Sequence, residues 1–276
     1  MQSLVTTDDI ADGLRRLGLE RSSRVIVHSS LSSFGYVDGG AEAVCQAVVE
    51  TCGTVVMPGG TWDFTGIAPP PGTVRPHNAY EPAASWQEFD RSLAAATAFT
   101  PELSVDRWLG RIPDAFRQTC SPMRTAHPLF SYLAAGSEAE RILSAQRLDW
   151  PLGPIEALDG EVLLLGVGHT SNTTIHLAEQ LLGRSRFHRY AKAADGVWME
   201  LPNIPGDSHR FDLIEPELRP ATKEVLIGNC RARLVPVAAV LAVTTRLIRA
   251  DPGALLCDDD PACRCAAALE QRLLAA

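Results

Sequence analysis

The pattern of apolar and polar positions predicts alternating helices and strands over the first sixty residues of the chain. Residues 10–17 carry apolar side chains at helical spacing, with Thr and Asp before them and Gly18 after them, which is typical of a capped amphipathic helix. The β-branched run 24–28 predicts a strand, and a helix over 41–51 and a second strand over 54–57 follow it. This order predicts parallel strands in an α/β sheet.

The strongest strand signal lies in the second half of the chain. Residues 161–167 are an apolar run bounded by glycines, which predicts a central strand buried on both faces. A tight loop over 168–172 and a helix over 173–182 follow it. The C-terminal part, 235–276, is predicted to be mostly helical, with a Pro-Gly break near residues 251–253.

Residues 61–102 form a long segment without a clear period. It holds five prolines before residue 88, together with two tryptophans and several acidic side chains. A loop of this length inside a compact domain is usually functional or disordered. We interpret it as a substrate lid, in which acids such as Asp63 receive a cationic substrate. The alternative is that these acids only keep a flexible loop soluble.

Composition narrows the classes of partner. The chain has 276 residues, of which 46% are hydrophobic, with a formal net charge of −8. This acidic balance disfavours nucleic acid and suits a cationic ligand, although it also serves solubility alone. No apolar stretch approaches the roughly 20 residues that span a bilayer, and the first residues lack the pattern of a signal peptide. We therefore expect a cytoplasmic protein with neither membrane nor nucleic-acid partners.

The seven cysteines bear on disulfides and metals. An odd number argues against a disulfide framework. Cys257, Cys263 and Cys265 lie close together in the sequence, and a Cys-x-Cys pair can hold zinc. A structural zinc site usually needs four ligands, however, and no histidine follows His209. The sequence therefore predicts no metal site.

Small polar residues follow the first predicted strand. The segment His28, Ser29, Ser30, Leu31 and Ser32 stands at its carboxyl end, where ligands bind in open α/β sheets. Small side chains there let backbone N–H groups approach an anionic or thioester ligand. The alternative is a capped turn with a satisfied core histidine, and the pattern alone does not decide between them.

A second group of polar residues enters the helix after the strongest strand. Thr173, His176 and Glu179 are spaced three apart, which places them on one helix face. An imidazole can take a proton from an incoming amine, and a hydroxyl can hydrogen-bond a developing oxyanion. The alternative is that His176 and Glu179 merely pair on a solvated face.

Two further segments carry candidate site residues. Arg124 can bind a phosphate or pyrophosphate through two hydrogen bonds. The alternative for this segment is structural, because the His-Pro pair after Arg124 favours an extended backbone. Asp207 is a candidate to orient and stabilise a catalytic histidine. Signatures of P-loop proteins, dinucleotide-binding folds, α/β-hydrolases and zinc proteases are absent from the sequence.

Four motifs together resemble those of a known family. VHSSLSSFG, GTVVMPGGTWDFT, RTAHPLFSYLAAG and GVGHTSNTTIHLAE, in this order, resemble the aminoglycoside 3-N-acetyltransferase family over about residues 5–235. The resemblance implies a single domain, 1–276, with a three-layer α/β/α sandwich, a mostly parallel central sheet and a long lid insertion over 61–102. This fold is distinct from that of the GNAT acetyltransferases.

The resemblance also implies an activity and a set of site residues. The expected reaction is acetyl transfer from acetyl-CoA to the 3-amino group of a 2-deoxystreptamine aminoglycoside, with His176 as general base and Thr173 on the oxyanion side. The loop from His28 to Ser32 and Arg124 are the expected contacts of coenzyme A. Asp63, Glu179 and His169 are the expected contacts of a small cationic amine, in a monomer or homodimer.

One departure from the family pattern bears on the substrate. Many members carry a carboxylate eight residues before the phenylalanine that here is Phe211, and this chain has Asn203 there. Asp207 is the nearest acid, so it is predicted to assist His176. Two alternatives stay open: an acyl-CoA-dependent enzyme that acts on another small amine, and a coenzyme A-binding protein without catalysis.

Overall fold

Two layers of helices enclose a seven-stranded sheet, and a three-stranded sheet lies beside them. The structure is a computed structural model that describes residues 4–75, 80–257, 260 and 263–275. The strands are β1 (Leu4–Val5), β2 (Arg24–Ser29), β3 (Tyr36–Val37), β4 (Thr54–Pro58), β5 (Gly66–Ile67), β6 (Met123–Arg124), β7 (Tyr132–Gly136), β8 (Glu161–Leu165), β9 (Phe187–Lys192), β10 (Trp198–Ile204), β11 (Lys223–Ile227) and β12 (Cys230–Pro236). The helices are α1 (Thr7–Leu17), α2 (Gly40–Thr51), α3 (Trp62–Thr65), α4 (Trp86–Ala95), α5 (Arg111–Thr119), α6 (Ala139–Leu143), α7 (Gly153–Leu158), α8 (Thr173–Leu181), α9 (Glu215–Leu218), α10 (Val237–Ala250) and α11 (Cys265–Leu274).

The first helix shows how local sequence sets its ends. Thr6 and Asp9 form a capping box, in which the N–H of Asp9 donates to Thr6 Oγ1 at 3.2 Å and the N–H of Thr6 donates to Asp9 Oδ2 at 2.9 Å. Gly18 ends the helix with a φ of 96°, a left-handed conformation that glycine adopts without strain. The predicted helix is therefore confirmed.

The central strands are buried on both faces, as their apolar runs predict. In β8, Leu163 and Leu165 face the core beneath α1, α2 and α5, whereas Val162 and Leu164 face the core beneath α6, α7, α8 and α10. β2 and β4 divide their side chains in the same way. The three layers are thus helix, sheet and helix.

The main sheet is mixed, with the strand order β11-β12-β8-β2-β4-β7-β6. Only β2 pairs in parallel, with β4 on one side and β8 on the other, and the remaining four pairings of this described sheet are antiparallel. The prediction of a mostly parallel sheet is therefore wrong. Both edges are completed by antiparallel pairs, β6 with β7 and β11 with β12, and such pairs need no crossover helix.

The predicted irregular segment, 61–102, contains regular structure. It holds α3, β5 and α4, and β5 joins β9 and β10 in the three-stranded sheet. Phe89 of α4 packs edge-on against Trp198 of β10, with ring centroids 5.9 Å apart. Residues 76–79 lie outside the described part of the chain. The segment is therefore partly packed on the second sheet, and lid motion stays a prediction.

Candidate active site

A cleft of about 990 Å³ opens at the carboxyl ends of β2, β4 and β8. Its walls include residues 27–32 from β2 and the turn after it, Pro58 and Gly60 from the end of β4, and 170–173 from the loop after β8. Ligands bind at this end of parallel strands because the loops there converge on one edge. The volume is at the upper end of small-molecule sites.

The wall formed by β2 carries polar groups that lack protein partners. His28 is 6% exposed, and within the described residues neither its Nε2 nor Ser29 Oγ has a hydrogen-bond partner. Burial lowers the pKa of His28 to about 3, so the ring is neutral at physiological pH. Ser30, Leu31 and Ser32 line the same wall. The structure brings all five residues to the cleft, and coenzyme A binding by them stays a prediction.

Asp212 fixes the loop after β8. Its Oδ1 accepts hydrogen bonds from the backbone N–H groups of His169, at 2.5 Å, and Thr170, at 3.3 Å. A Cβ atom on Gly168 would lie 2.4 Å from that oxygen, so only glycine permits the approach. This carboxylate was not predicted as a site residue, because its partners are backbone groups far away along the chain.

Asn172 begins α8 and sets its orientation. Its Oδ1 accepts a hydrogen bond from the N–H of Thr174 at 3.2 Å, and its Nδ2 lies 3.2 Å from His169 Nδ1. His169 is 1% exposed and does not line the cleft, so the prediction that it contacts substrate is wrong. Its ring instead packs beneath the loop that presents Thr173 to the cleft.

His176 lies on the cleft wall within a buried chain of polar contacts. Its Nδ1 is 2.7 Å from Glu179 Oε2, and Glu179 Oε1 accepts a hydrogen bond from Arg184 Nε at 3.0 Å. The ring of Phe211 packs against the imidazole, with centroids 4.8 Å apart. Because the carboxylate accepts the Nδ1 proton, the lone pair of Nε2 is left to act as a base.

Glu179 and Arg184 have no exposed surface. Burial acts to raise the pKa of Glu179, but its hydrogen bond and charge interaction with His176 and the charge of Arg184 outweigh burial, and the pKa is lowered. The carboxylate is therefore ionised and fixed on two sides. The prediction that Glu179 contacts substrate is wrong, because a fully buried side chain cannot reach the cleft.

Comparison with known proteins assigns the chain to a family. A family model described as aminoglycoside 3-N-acetyltransferase matches residues 26–249, well over half of the chain. The chain belongs to the aminoglycoside 3-N-acetyltransferase family. The resemblance of the four motifs is thereby confirmed, and the chain is placed in a class of transferase enzymes associated with antibiotic resistance.

Individual relatives agree with this family. The chain is 35% identical over 184 residues to the SPbeta prophage-derived aminoglycoside N(3')-acetyltransferase-like protein YokD of Bacillus subtilis. This match covers 63% of the chain and 64% of YokD, so it spans just under two thirds of that relative's length. It is 33% identical to aminoglycoside N(3)-acetyltransferase VII of Streptomyces paromomycinus over 75% of the chain and 74% of that relative. Among solved structures, aminoglycoside acetyltransferase AAC(3)-IVa, as a histidine-to-alanine mutant in complex with a gentamicin, superposes with a TM-score of 0.76 at 26% identity. That superposition covers 98% of this chain and 99% of the neighbour.

Asp207 lines the cleft of this family member but does not contact the catalytic candidate. Its carboxylate accepts hydrogen bonds from the backbone N–H of Arg264, at 2.7 Å, and from the Arg264 guanidinium, at 2.5 Å. The carboxylate that binds the ring of His176 belongs to Glu179, so the prediction that Asp207 assists that ring is wrong. Asn203 donates to the carbonyl of Asp149 and supports a turn.

Arg124 is a structural residue rather than a phosphate contact. Its Nη2 donates to the carbonyl of Gly59 at 2.7 Å, its Nη1 donates to the carbonyls of Pro101, at 3.0 Å, and Leu103, and its Nε donates to Ser131 Oγ at 3.1 Å. Four of the five guanidinium N–H groups thus donate to protein oxygens, and Arg124 does not line the cleft. The prediction that Arg124 binds the cofactor is wrong.

Asp63 lies beside the cleft but does not line it. Its side chain is exposed, and its backbone N–H donates to Asp106 Oδ1 at 2.7 Å. The other oxygen of Asp106 accepts from the N–H of Trp62 at 2.8 Å, and Trp62 does line the cleft. The geometry therefore gives Asp106 a positioning role and lends no support to substrate binding by Asp63.

The charged residues of the cleft wall are mostly basic. Within the described residues, Arg111, Arg189 and Arg264 line it, and Asp207, which is bound to Arg264, is the single carboxylate. The guanidinium carbon of Arg189 lies 3.6 Å from the ring centroid of Tyr80, and that of Arg264 lies 4.9 Å from it. Such a wall attracts anionic groups.

In the described part of the chain no helix has the length and apolar character needed to cross a bilayer.

Buried histidines make folding stability depend on pH. Burial lowers the pKa of His28 to about 3 and the pKa values of His127 and His169 to about 4. As the pH falls below about 6.5, these rings therefore bind protons in the unfolded chain while they stay neutral in the folded protein. Asp106 acts in the opposite sense, because burial raises its pKa to about 6. With roughly two more protons bound on unfolding, stability should fall by about 3 kcal/mol per pH unit near pH 5.

Urea unfolding followed at fixed temperature from pH 8 to pH 5 measures this dependence. We expect little change above pH 7 and a progressively lower midpoint below pH 6.5. A midpoint that stays constant down to pH 5 would show that these histidines are protonated in the fold.

Proposed function

We propose that the protein transfers the acetyl group of acetyl-CoA to the 3-amino group of an aminoglycoside. The observation that carries the proposal is the chain of contacts from Arg184 through Glu179 to His176, which presents an imidazole on the wall of a cleft of about 990 Å³. The family supplies the reaction class, and the gentamicin bound to the related AAC(3)-IVa supports an aminoglycoside as acceptor.

The reaction follows from the arrangement of groups on the wall. Nε2 of His176 takes a proton from the substrate amine, the nitrogen attacks the thioester carbonyl, and the carbon–sulfur bond then breaks. The thiolate leaves and receives the proton back from the imidazolium. Thr173 lies in the first turn of α8 and lines the cleft. In this proposal its hydroxyl, together with the positive N-terminal end of the helix dipole, stabilises the developing oxyanion.

The end of β2 and the turn after it contribute His28, Ser29 and Ser32 to the cleft wall. In the described part of the chain, His28 Nε2 and Ser29 Oγ have no protein partner and are free to meet a ligand. We place the pantetheine and thioester of acetyl-CoA along this wall, because small residues let its amides approach the backbone. The arginines of the cleft are suited to its phosphates.

The charge of the cleft favours a second candidate function. A strongly cationic aminoglycoside gains no attraction from a wall with three arginines and a single, already paired aspartate among the described residues. The second candidate is acyl transfer from an acyl-CoA to another small amine that carries less charge.

A thiol-release assay separates the candidates. The protein is incubated with acetyl-CoA, DTNB and a panel of gentamicin, apramycin, kanamycin and simple monoamines, and the acetylated position is determined by NMR. Acetylation of an aminoglycoside at the 3-amino group supports the first function, and acetylation of monoamines alone supports the second. No thiol release with any amine would contradict both and leave a coenzyme A-binding protein.

Arg111 offers a test of how the cofactor binds. It lines the cleft at the start of α5, whereas the nearby exposed Arg107 does not line it. We expect Arg111→Ala to raise the KM for acetyl-CoA about tenfold with little change in kcat, since one charge-assisted phosphate contact contributes roughly 1.5–3 kcal/mol. Arg107→Ala is the matched control and should leave KM within about twofold. Equal effects of both substitutions would contradict a specific contact.

A further inference from the structure

Three metal-binding side chains converge beside the cleft. One ring nitrogen of His209 and the sulfurs of Cys257 and Cys263 all lie within 4.8 Å of one another, and the two sulfurs are 3.3 Å apart. Cys265 is buried two residues after Cys263, and its backbone N–H donates to Cys263 Sγ at 3.4 Å. We propose that His209, Cys257 and Cys263, together with Cys265, bind one zinc ion.

The geometry is close to that of a tetrahedral site. Zinc–sulfur bonds of about 2.3 Å and zinc–nitrogen bonds of about 2.0–2.1 Å place neighbouring ligand atoms roughly 3.5–3.8 Å apart. For His209, Cys257 and Cys263, the observed separations differ from these values by about 1 Å or less. Three cysteines and one histidine form a recurrent structural zinc set, and thiolate with imidazole selects zinc over magnesium or calcium.

The surroundings of the cluster resemble the second layer of a metal site. The backbone N–H of Cys265 lies 3.4 Å from Cys263 Sγ and points at it, which stabilises a thiolate. The carboxylate of Asp207 lies 3.8 Å from His209 Nε2, a charge contact longer than a hydrogen bond. The sequence prediction of no metal rested on too few ligands, and the fold brings His209 next to Cys257 and Cys263.

The alternative chemistry for this cluster is a disulfide between Cys257 and Cys263. A disulfide would use the sulfurs of Cys257 and Cys263 and would not account for the imidazole of His209 beside them. A metal ion accounts for all three groups. We therefore make the disulfide an outcome of the test.

The zinc ion would hold part of the cleft wall in place. Arg264 stands between the ligands Cys263 and Cys265, and its backbone N–H and guanidinium both bind Asp207, two residues before the ligand His209. A metal that ties these segments together fixes Arg264 and Asp207 at the cleft. This inference does not depend on which amine is acetylated.

Metal analysis of the whole chain tests the site. We expect the protein, purified without chelator, to hold about one zinc per chain, and Cys263→Ser and His209→Ala to lose most of it. Cys120→Ser, which alters a half-buried cysteine elsewhere, is the matched control and should retain the metal. Replacement of zinc by Co²⁺ in the wild type should give the intense absorption of tetrahedral cobalt with thiolate ligands, a readout that needs no variant.

Three results would overturn the proposal. The first is a wild-type protein that holds no zinc after equilibration with excess zinc under reducing conditions. The second is an intact mass two hydrogens lower than the sequence mass, with two thiols missing from a DTNB titration in denaturant, which identifies a disulfide. The third is zinc retained at the wild-type level in Cys263→Ser.

Discussion

His176→Ala should lower kcat by about 10²–10⁴ and leave the Kd for acetyl-CoA within about twofold of the wild type, as measured by steady-state kinetics and calorimetry. The loss follows because Nε2 of His176 takes the amine proton in the proposed reaction, and no other group described on the wall is oriented to replace it. The affinity for acetyl-CoA is preserved because, in our proposal, His28 and the turn after β2 bind it rather than His176.

A structural effect of the substitution can be separated from a catalytic one. If His176 acts as a base, the variant should remain folded, bind acetyl-CoA and regain part of its rate when a soluble imidazole is added. Unchanged kcat in a folded variant would remove His176 from the reaction. A parallel loss of kcat and of acetyl-CoA binding would assign the residue to cofactor binding instead.

Glu179→Gln should have the second largest effect, on catalysis and stability together. An amide can donate to Nδ1 and thereby place the ring proton on Nε2, the wrong nitrogen for a base, so kcat should fall by about 10²–10⁴. The substitution also leaves the buried Arg184 without its carboxylate, which should lower the free energy of unfolding by about 3–5 kcal/mol.

Glu217→Gln is the matched control for this change. Glu217 pairs with Arg246 at 2.7 Å, but both side chains are about half exposed, so the same substitution there should cost at most about 1 kcal/mol and leave kcat unchanged. Urea unfolding and initial rates measure both variants. Similar stability for the two variants would contradict a buried carboxylate that holds Arg184 and His176.

The parts of the fold that sequence predicts well are those with a strong local period. β2, β4 and β8 follow apolar runs, and α1, α2 and α8 follow helical spacing, so each is found where the pattern places it. Capping side chains mark the starts of α1 and α8. The position of the cleft follows as well, because the carboxyl ends of parallel strands share one edge.

The parts that sequence missed include a hairpin and a helix. The hairpin of β11 and β12 turns at Gly228 and Asn229, a hairpin signal, and Arg231 and Arg233 are the polar positions of a regular alternation in β12. This local signal was not used. α4 carries its own start signal in Ser85, whose hydroxyl accepts from the N–H of Glu88 at 3.2 Å, yet five prolines before it favoured a loop.

The site shows the same division between local and distant information. The spacing of His176 and Glu179 is visible in the sequence. That the carboxylate of Glu179 is buried and paired with Arg184 is visible only in the fold. Asp207 is an acid at a suitable distance along the chain, yet Arg264, 57 residues later, binds it. The sequence thus identified His176 as a candidate base, a role that stays a prediction, and misassigned the acid that contacts its ring.

The most direct measurement is a crystal structure of the protein with coenzyme A and an amine acceptor. We predict that the sulfur of coenzyme A lies beside His28 and Thr173. The acceptor nitrogen should lie about 2.6–3.2 Å from Nε2 of His176 and face that sulfur. A structure in which the sulfur lies remote from that imidazole, with no space for an amine between them, would contradict the account.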